Sequence, residues 1–362
     1  MTAGRRRGLA FGLLVILAAE VLSQGVIASG DTSAHVLEPH PTRLWALAPC
    51  PPDTRVGYTA QDGLRASSVA GPEGAPLVLT LGDSSIFGHD VADANTIHEA
   101  LQSALNANGV PVRVRTLAVP GYSTLQTRVV MDEVGWAMAP RVLVIGNLWS
   151  DSSLDAVRDA DLQAAFRAPA TRAEVVLAHS GLFRLARRAV NTARGLPAER
   201  TIGWPQPGDT GVRRVPLAQY VATLEAILDA AAQNDVGVIF LALATHGMSG
   251  RGRVATDPVY PYAEAQYRLA RARGVPWLDM LTVYRASGRA ADDLWSDGLH
   301  PTDAGATILG RALATELEET GFPRRVTVPM AAAPISVGAD AWDGAAPLER
   351  MSVAGQLAAG EL

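Results

Sequence analysis

No lysine occurs anywhere in this chain of 362 residues, so the 31 basic residues counted besides histidine are all arginine. That excludes a lysine base or a Schiff-base intermediate. There is one cysteine, Cys50, so neither an internal disulfide nor a cysteine-rich metal site can form. No His/Asp/Glu spacing suggests a metal centre either. Aromatic residues make up 6% of the chain, and no separate carbohydrate-binding module is visible. The net charge is −5 without a basic stripe in the folded region, which argues against a nucleic-acid surface. The glycine-rich Gly247-Met248-Ser249-Gly250 lacks the lysine of a nucleotide cradle. No cofactor is called for, and no internal repeat is found.

What is present is an apolar fraction of 48% with 34 glycines, enough for a sizeable core of one large or two ordinary domains. Arg5-Arg6-Arg7 precede an apolar run from Leu9 to Ala28 that Glu20 and Gln24 interrupt. A basic end before an apolar segment is an export signal. Residues 1–29 are therefore expected to be a signal anchor or a signal peptide, with Val26-Ile27-Ala28 as the cleavage candidate. The body is expected outside the cytoplasm, attached to the membrane through this segment if it is not cleaved. Residues 30–75 read as a linker and an irregular wrap, residues 76–322 as the folded domain, and residues 323–362 as a tail without helical period.

Within the domain the apolar pattern alternates. Strands are expected at Leu77–Leu81, Val112–Ala118, Val142–Ile145, Val236–Leu243 and Val275–Met280. Helices are expected at Thr96–Asn108, Thr124–Trp136, Thr171–Arg194, Pro216–Gln233, Tyr262–Arg273 and Thr302–Thr320. The third of these helices carries Arg184, Arg187, Arg188 and Arg194 on a basic side. Strands alternating with helices imply a parallel sheet with right-handed crossovers. The expected fold class is α/β: a three-layer α/β/α sandwich around five parallel strands.

Chemistry-bearing residues gather where strands end, as ligand sites do in open α/β sheets. Gly82-Asp83-Ser84 follows the first strand, Pro120-Gly121-Tyr122-Ser123-Thr124 the second and Gly146-Asn147 the third. Asp297-Gly298-Leu299-His300-Pro301 precedes the last helix. A serine hydroxyl needs an adjacent base, and His300 is the candidate. Asp297, three residues earlier, can reach its second ring nitrogen within a tight loop and fix the tautomer. His89 is a rival base without an acid at that spacing, Ser85 is a rival nucleophile, and Asp83 reads as a turn-holding residue.

Taken in order, the four blocks resemble those of the SGNH hydrolases, the GDSL esterase/lipase superfamily, over roughly residues 60–322. The resemblance implies a flavodoxin-like sheet in the order 2-1-3-4-5 and ester hydrolysis through an acyl-enzyme. Ser84, His300 and Asp297 are the implied catalytic residues. The implied oxyanion donors are the N–H groups of Ser84 and Gly121 and the side-chain amide of Asn147. Two blocks depart from the pattern. Ser85 stands where leucine gives the family its name. The third block reads Gly146-Asn147-Leu148-Trp149-Ser150-Asp151 in place of Gly-x-Asn-Asp, with no residue between the glycine and the asparagine and no aspartate directly after it. Trp149, Asp151 and His246 are candidate pocket residues. The expected partner is a small-molecule or glycan ester, with O-acetyl groups of envelope or extracellular carbohydrate favoured by the export signal. Acetyl transfer by the same residues, or a non-catalytic binding role, are the alternatives. The segment Ser152–Arg214 has no assigned purpose.

Overall fold

The computed structural model describes residues 14–23, 37–48, 60–61, 63–67, 71–155, 157–168, 173, 177, 180–193 and 211–322. Cys50, the cleavage candidate at 26–28, Arg194 and the tail at 323–362 lie outside the described residues.

Two short antiparallel hairpins come first, where the sequence suggests an irregular wrap. β1 (Leu37–His40) pairs with β2 (Leu44–Leu47), and β3 (Ala60–Gln61) with β4 (Leu64–Arg65). β2 is buried throughout, so this segment is part of the core rather than a linker.

The central sheet contains β5 (Leu77–Gly82), β6 (Arg113–Thr116), β7 (Val142–Gly146), β10 (Gly237–Ala242) and β11 (Trp277–Asp279). A small hairpin of β8 (Leu154–Asp155) and β9 (Val212–Arg213) stands apart from it. All neighbouring pairs in the sheet are parallel, in the order β11-β10-β7-β5-β6. Numbered along the chain, that is the expected 2-1-3-4-5. β5, β7 and β10 are buried at every position. This is why they read as unbroken apolar runs: strands covered on both faces have no polar side to alternate with. The edge strand β6 alternates half-buried Arg113 and Arg115 with buried Val114 and Thr116.

β5 and β7 end side by side at a pair of glycines, Gly82 opposite Gly146. A Cβ on Gly82 would lie 2.8 Å from Gly146 O and 2.6 Å from Ile86 Cγ1. The two glycines thus let the short helix α1 (Ser84–Phe87) fold tightly over the sheet's end.

Helices cover both faces. α2 (Ile97–Ala107) packs against α10 (Asp303–Glu319) so closely that a Cβ on Gly310 would meet Ile97 O at 2.7 Å. α3 (Thr124–Val130), α7 (Leu217–Gln233) and α8 (Tyr260–Arg273) form a second group, with α7 touching both others. α3 is shorter than its pattern suggests. It opens into a π turn over Met131–Gly135 and a 3₁₀ turn over Trp136–Met138, and Met131 Sδ fills the space that a Cβ on Gly135 would take.

The remaining helices are α4 (Trp149–Ser152), α5 (Asp159–Arg167), α6 (Gly181–Ala193) and α9 (Met280–Ala286). α6 occupies the later part of the helix expected at Thr171–Arg194. Its first turn is capped by Glu20, whose carboxylate accepts from Gly181 N at 2.6 Å and from Ser180 Oγ at 2.8 Å. Residues 14–23 are helical. Among the described residues no helix is long and apolar enough to cross a membrane.

Candidate active site

The site lies at the carboxyl ends of β5, β6 and β7. Asp83 is the N-cap of α1: its Oδ1 accepts the Ser85 N–H at 3.1 Å. That turn leaves Ser84 at the first helical position with its side chain partly exposed. His300 Nε2 lies 2.8 Å from Ser84 Oγ, and His300 Nδ1 lies 2.8 Å from Asp297 Oδ2. A carboxylate accepts only, so Nδ1 carries the proton toward Asp297, and the Nε2 lone pair accepts the Ser84 hydroxyl proton.

The loop carrying the base closes on itself. Asp297 Oδ1 accepts the backbone N–H groups of Leu299 and His300 at 2.6 and 2.7 Å. Ser296 N donates to His300 O at 2.9 Å, and Trp295 bridges to Pro301. Partial burial pushes the Asp297 carboxyl up, but the hydrogen bonds from His300 and Leu299 outweigh it and hold the group at about 2. Asp297 is thus a fixed negative charge behind the imidazole.

The rival residues take other parts. His89 packs its ring on that of His300, with centroids 4.4 Å apart, and its own Nε2 faces Asp90 Oδ2 at 3.3 Å. Burial and the neighbouring His300 push the His89 imidazole down, against the pull of Asp90. Ser85 is buried in α1.

The expected oxyanion donors divide. Among the described residues, the N–H groups of Ser84 and Gly121 meet no acceptor. Gly121 has φ +79°, a left-handed conformation that favours glycine. Asn147 behaves differently. It is fully buried, its Nδ2 donates to Tyr122 O at 3.3 Å, and its Oδ1 accepts from Thr127 Oγ1 at 2.9 Å. Its carbonyl accepts the Tyr220 hydroxyl at 2.9 Å. The side chain therefore braces the second and third loops from inside. With no residue between Gly146 and the asparagine, the amide is engaged by the α3 side of the site.

The three candidate pocket residues also separate. Asp151 is fully buried and lines no open pocket: its Oδ1 accepts Thr124 N at 2.9 Å and Thr124 Oγ1 at 2.6 Å, at the start of α3. Burial pushes its carboxyl up to about 7, against the opposing Thr124 bonds. Asp83 is pushed up to about 6 by burial in the same way. His246 is turned to Asp292, with Nε2 to Oδ1 at 2.6 Å, and sets its ring against Trp295. Its backbone N–H holds Gly298 O at 3.1 Å, so it supports the His300 loop from outside. Trp149 is half-buried and begins α4. A separate cavity of about 280 Å³ lined by Leu281, Tyr284, Leu294 and Trp295 includes neither Ser84 nor His300.

Two residues of the site carry no motif. Arg214 is buried, pairs both carboxylate oxygens of Asp159 at 2.9 and 2.8 Å, and donates to Gly121 O at 2.9 Å. Trp45, on β2, donates its indole N–H to Pro120 O at 3.0 Å. Both contacts cross more than seventy residues of sequence, and no local pattern announces either.

The match to the GDSL-like Lipase/Acylhydrolase family model runs over residues 80–308, from β5 into α10. This chain belongs to that family. As a GDSL-like acylhydrolase it is a carboxylic ester hydrolase. Solved structures resemble it at low identity. The lipase/acylhydrolase of Enterococcus faecalis shares 16% identity over 71% of this chain and 100% of that chain, with a TM-score of 0.44. The acetylxylan esterase Axe2 of Geobacillus stearothermophilus shares 16% over 68% and 94%, at 0.42. The psychrotrophic esterase EstA of a Pseudoalteromonas species shares 10% over 67% and 97%, at 0.40. Likeness of this degree carries nothing about substrate. No curated protein sequence matches.

Proposed function

We propose that this acylhydrolase cleaves O-acyl esters through an acyl-enzyme on Ser84. The supporting observation is the unbroken relay from Ser84 Oγ to His300 to Asp297, with both links at 2.8 Å. His300 Nε2 takes the hydroxyl proton as Ser84 Oγ bonds to the ester carbon. The ester C–O bond then breaks, and the leaving alcohol carries away the proton from His300. Water next adds to the acyl carbon, giving a proton to Nε2, and the carboxylic acid leaves as Ser84 recovers its own. Asp297 stays ionised throughout and stabilises the imidazolium. The oxyanion formed in each half meets the N–H groups of Ser84 and Gly121, which are in place before charge develops.

Acetyl esters of envelope or extracellular carbohydrate are the proposed substrate class. The support is the export-type N-terminus, Arg5-Arg6-Arg7 before an apolar run, which favours esters met outside the cytoplasm. The first test is labelling with a fluorophosphonate probe and mapping the adduct by peptide mass. An adduct on Ser84, lost in Ser84→Ala and slowed in His300→Ala, is expected; a folded protein that takes no label refutes the mechanism. Acetylated glycans should then be turned over faster than simple lipid esters, and the opposite preference refutes the substrate class. Adding a glycan acceptor to an acyl donor separates transfer, which yields an acylated glycan, from hydrolysis, which yields free acid.

A further inference from the structure

The Pro120–Gly121 peptide is the unit whose N–H is offered to the oxyanion, and its other end is held by a residue seventy-five positions away. A peptide unit is planar and trans, so its C=O and N–H point in opposite directions. Fixing the oxygen therefore fixes the aim of the hydrogen. Glycine at φ +79° resists rotation of that plane weakly, because it lacks a Cβ. Something else must hold it. Trp45 Nε1 donates to Pro120 O at 3.0 Å from a fully buried position on β2.

The indole is itself held in place. Tyr122 Oη donates to Trp45 O at 2.8 Å, and the two rings meet edge to face at 5.9 Å. The Arg214 guanidinium lies over the Trp45 ring at 5.7 Å while donating to Gly121 O at 2.9 Å. The carbonyls on both sides of Gly121 are thus pinned, one from the N-terminal hairpin and one from the end of the long segment before α7. We propose that Trp45 is a positioning residue of the oxyanion hole, aiming the Gly121 N–H at the reacting ester oxygen. This rests on the acylhydrolase mechanism above and gives the N-terminal hairpin a task in it.

Trp45→Phe tests it: the N–H is lost and an aromatic ring stays in the core, and the packing lost with the pyrrole ring is read separately as a fall in thermal midpoint. Deleting an oxyanion donor outright costs about 10²–10³ in kcat, so mis-aiming one should cost roughly tenfold. KM should change less than about twofold, since the contact matters when charge develops on the oxygen rather than when ester binds. The affinity of a boronate that mimics the tetrahedral intermediate should fall by the same factor as kcat. The pH profile should keep its shape, because His300 and Asp297 are untouched.

A folded Trp45→Phe with unchanged kcat overturns the proposal, as does a fall in kcat without loss of boronate affinity. Should Trp45→Phe not fold, Tyr122→Phe leaves the indole in place and removes the hydroxyl that donates to Trp45 O. It should lose about threefold in kcat with the same boronate signature, a fraction of a donor's full effect, and a variant indistinguishable from wild type overturns the proposal. A wild-type chain inert to every ester and to the fluorophosphonate overturns both this proposal and the mechanism beneath it. Activity abolished by Ser84→Ala but indifferent to Trp45→Phe overturns this proposal alone.

Discussion

Replacing Asp151 by asparagine should flatten the pH dependence of stability. The Asp151 carboxyl is fully buried, its Oδ1 holds the N-terminus of α3, and its Oδ2 has no partner among the described residues. Burial moves it from 3.8 to about 7. Between those values it is protonated in the native state and ionised in the unfolded chain. A group whose native pKa is raised contributes its full stability below the unfolded value and loses it as pH rises through the native one. Native stability should therefore fall between about pH 4 and pH 7 and level off above. The displacement is equivalent to roughly 4 kcal/mol as an upper limit, at about 1.4 kcal/mol per pH unit. The amide oxygen of the Asp151→Asn variant can still accept from Thr124, and the amide does not titrate. The variant should match wild type near pH 4 and gain a few kcal/mol on it by about pH 8. Asp83, raised to about 6 by burial, should leave a residual slope of the same sign in both proteins. The assay is urea unfolding across this range, with the midpoint read at constant m-value. Parallel curves for the two proteins would refute the buried, protonated carboxyl.

Asp297→Asn presents an N–H to His300 Nδ1, forcing the proton onto Nε2 where Ser84 needs an acceptor. Steady-state kinetics should show kcat down by about 10³–10⁴ with KM nearly unchanged. Asn147→Ala should behave as a structural lesion, costing about 1–3 kcal/mol for the polar partners it strands. Its kcat should stay well above the roughly 10²–10³ loss of a removed oxyanion donor, and a loss of that size at full stability would restore the amide to the oxyanion hole. Gly82→Ala should lower the thermal midpoint, with a cost of about 2 kcal/mol or more for the Cβ driven against the Gly146 carbonyl and Ile86.

The sheet was legible in the sequence because its strands are buried on both faces, so β5, β7 and β10 stand out as apolar runs at helix-length intervals. The Ser84, His300 and Asp297 placements were legible because each sits in a short motif at an element's end. Helix α9 escaped notice: it follows β11 with no loop between them, and Asp279 serves as both the last strand residue and the helix cap. The N-terminal hairpins escaped for a different reason. Their strands are short, and the contact that seats Trp45, with Tyr122, lies seventy-seven residues away across the fold. Asp151 and His246 read as pocket candidates from their positions along the chain, and neither side chain reaches Ser84 or His300 by a hydrogen bond among the described residues. What sequence position could not supply is the direction of each side chain, inward to Thr124 for one and outward to Asp292 for the other.

The four residues Asp297 to His300 hold base and acid on one closed loop, cross-linked by the acid's own oxygen. The nucleophile belongs to a different part of the chain. Any sliding of that loop relative to β5 therefore parts the pair at a single seam, between His300 and Ser84. The imidazole would keep its tautomer and its counter-ion while disengaged. The base and its acid thus travel as one unit, and the contacts that set where the unit sits come from outside it, from His246 N on Gly298 O and the His89 ring against His300.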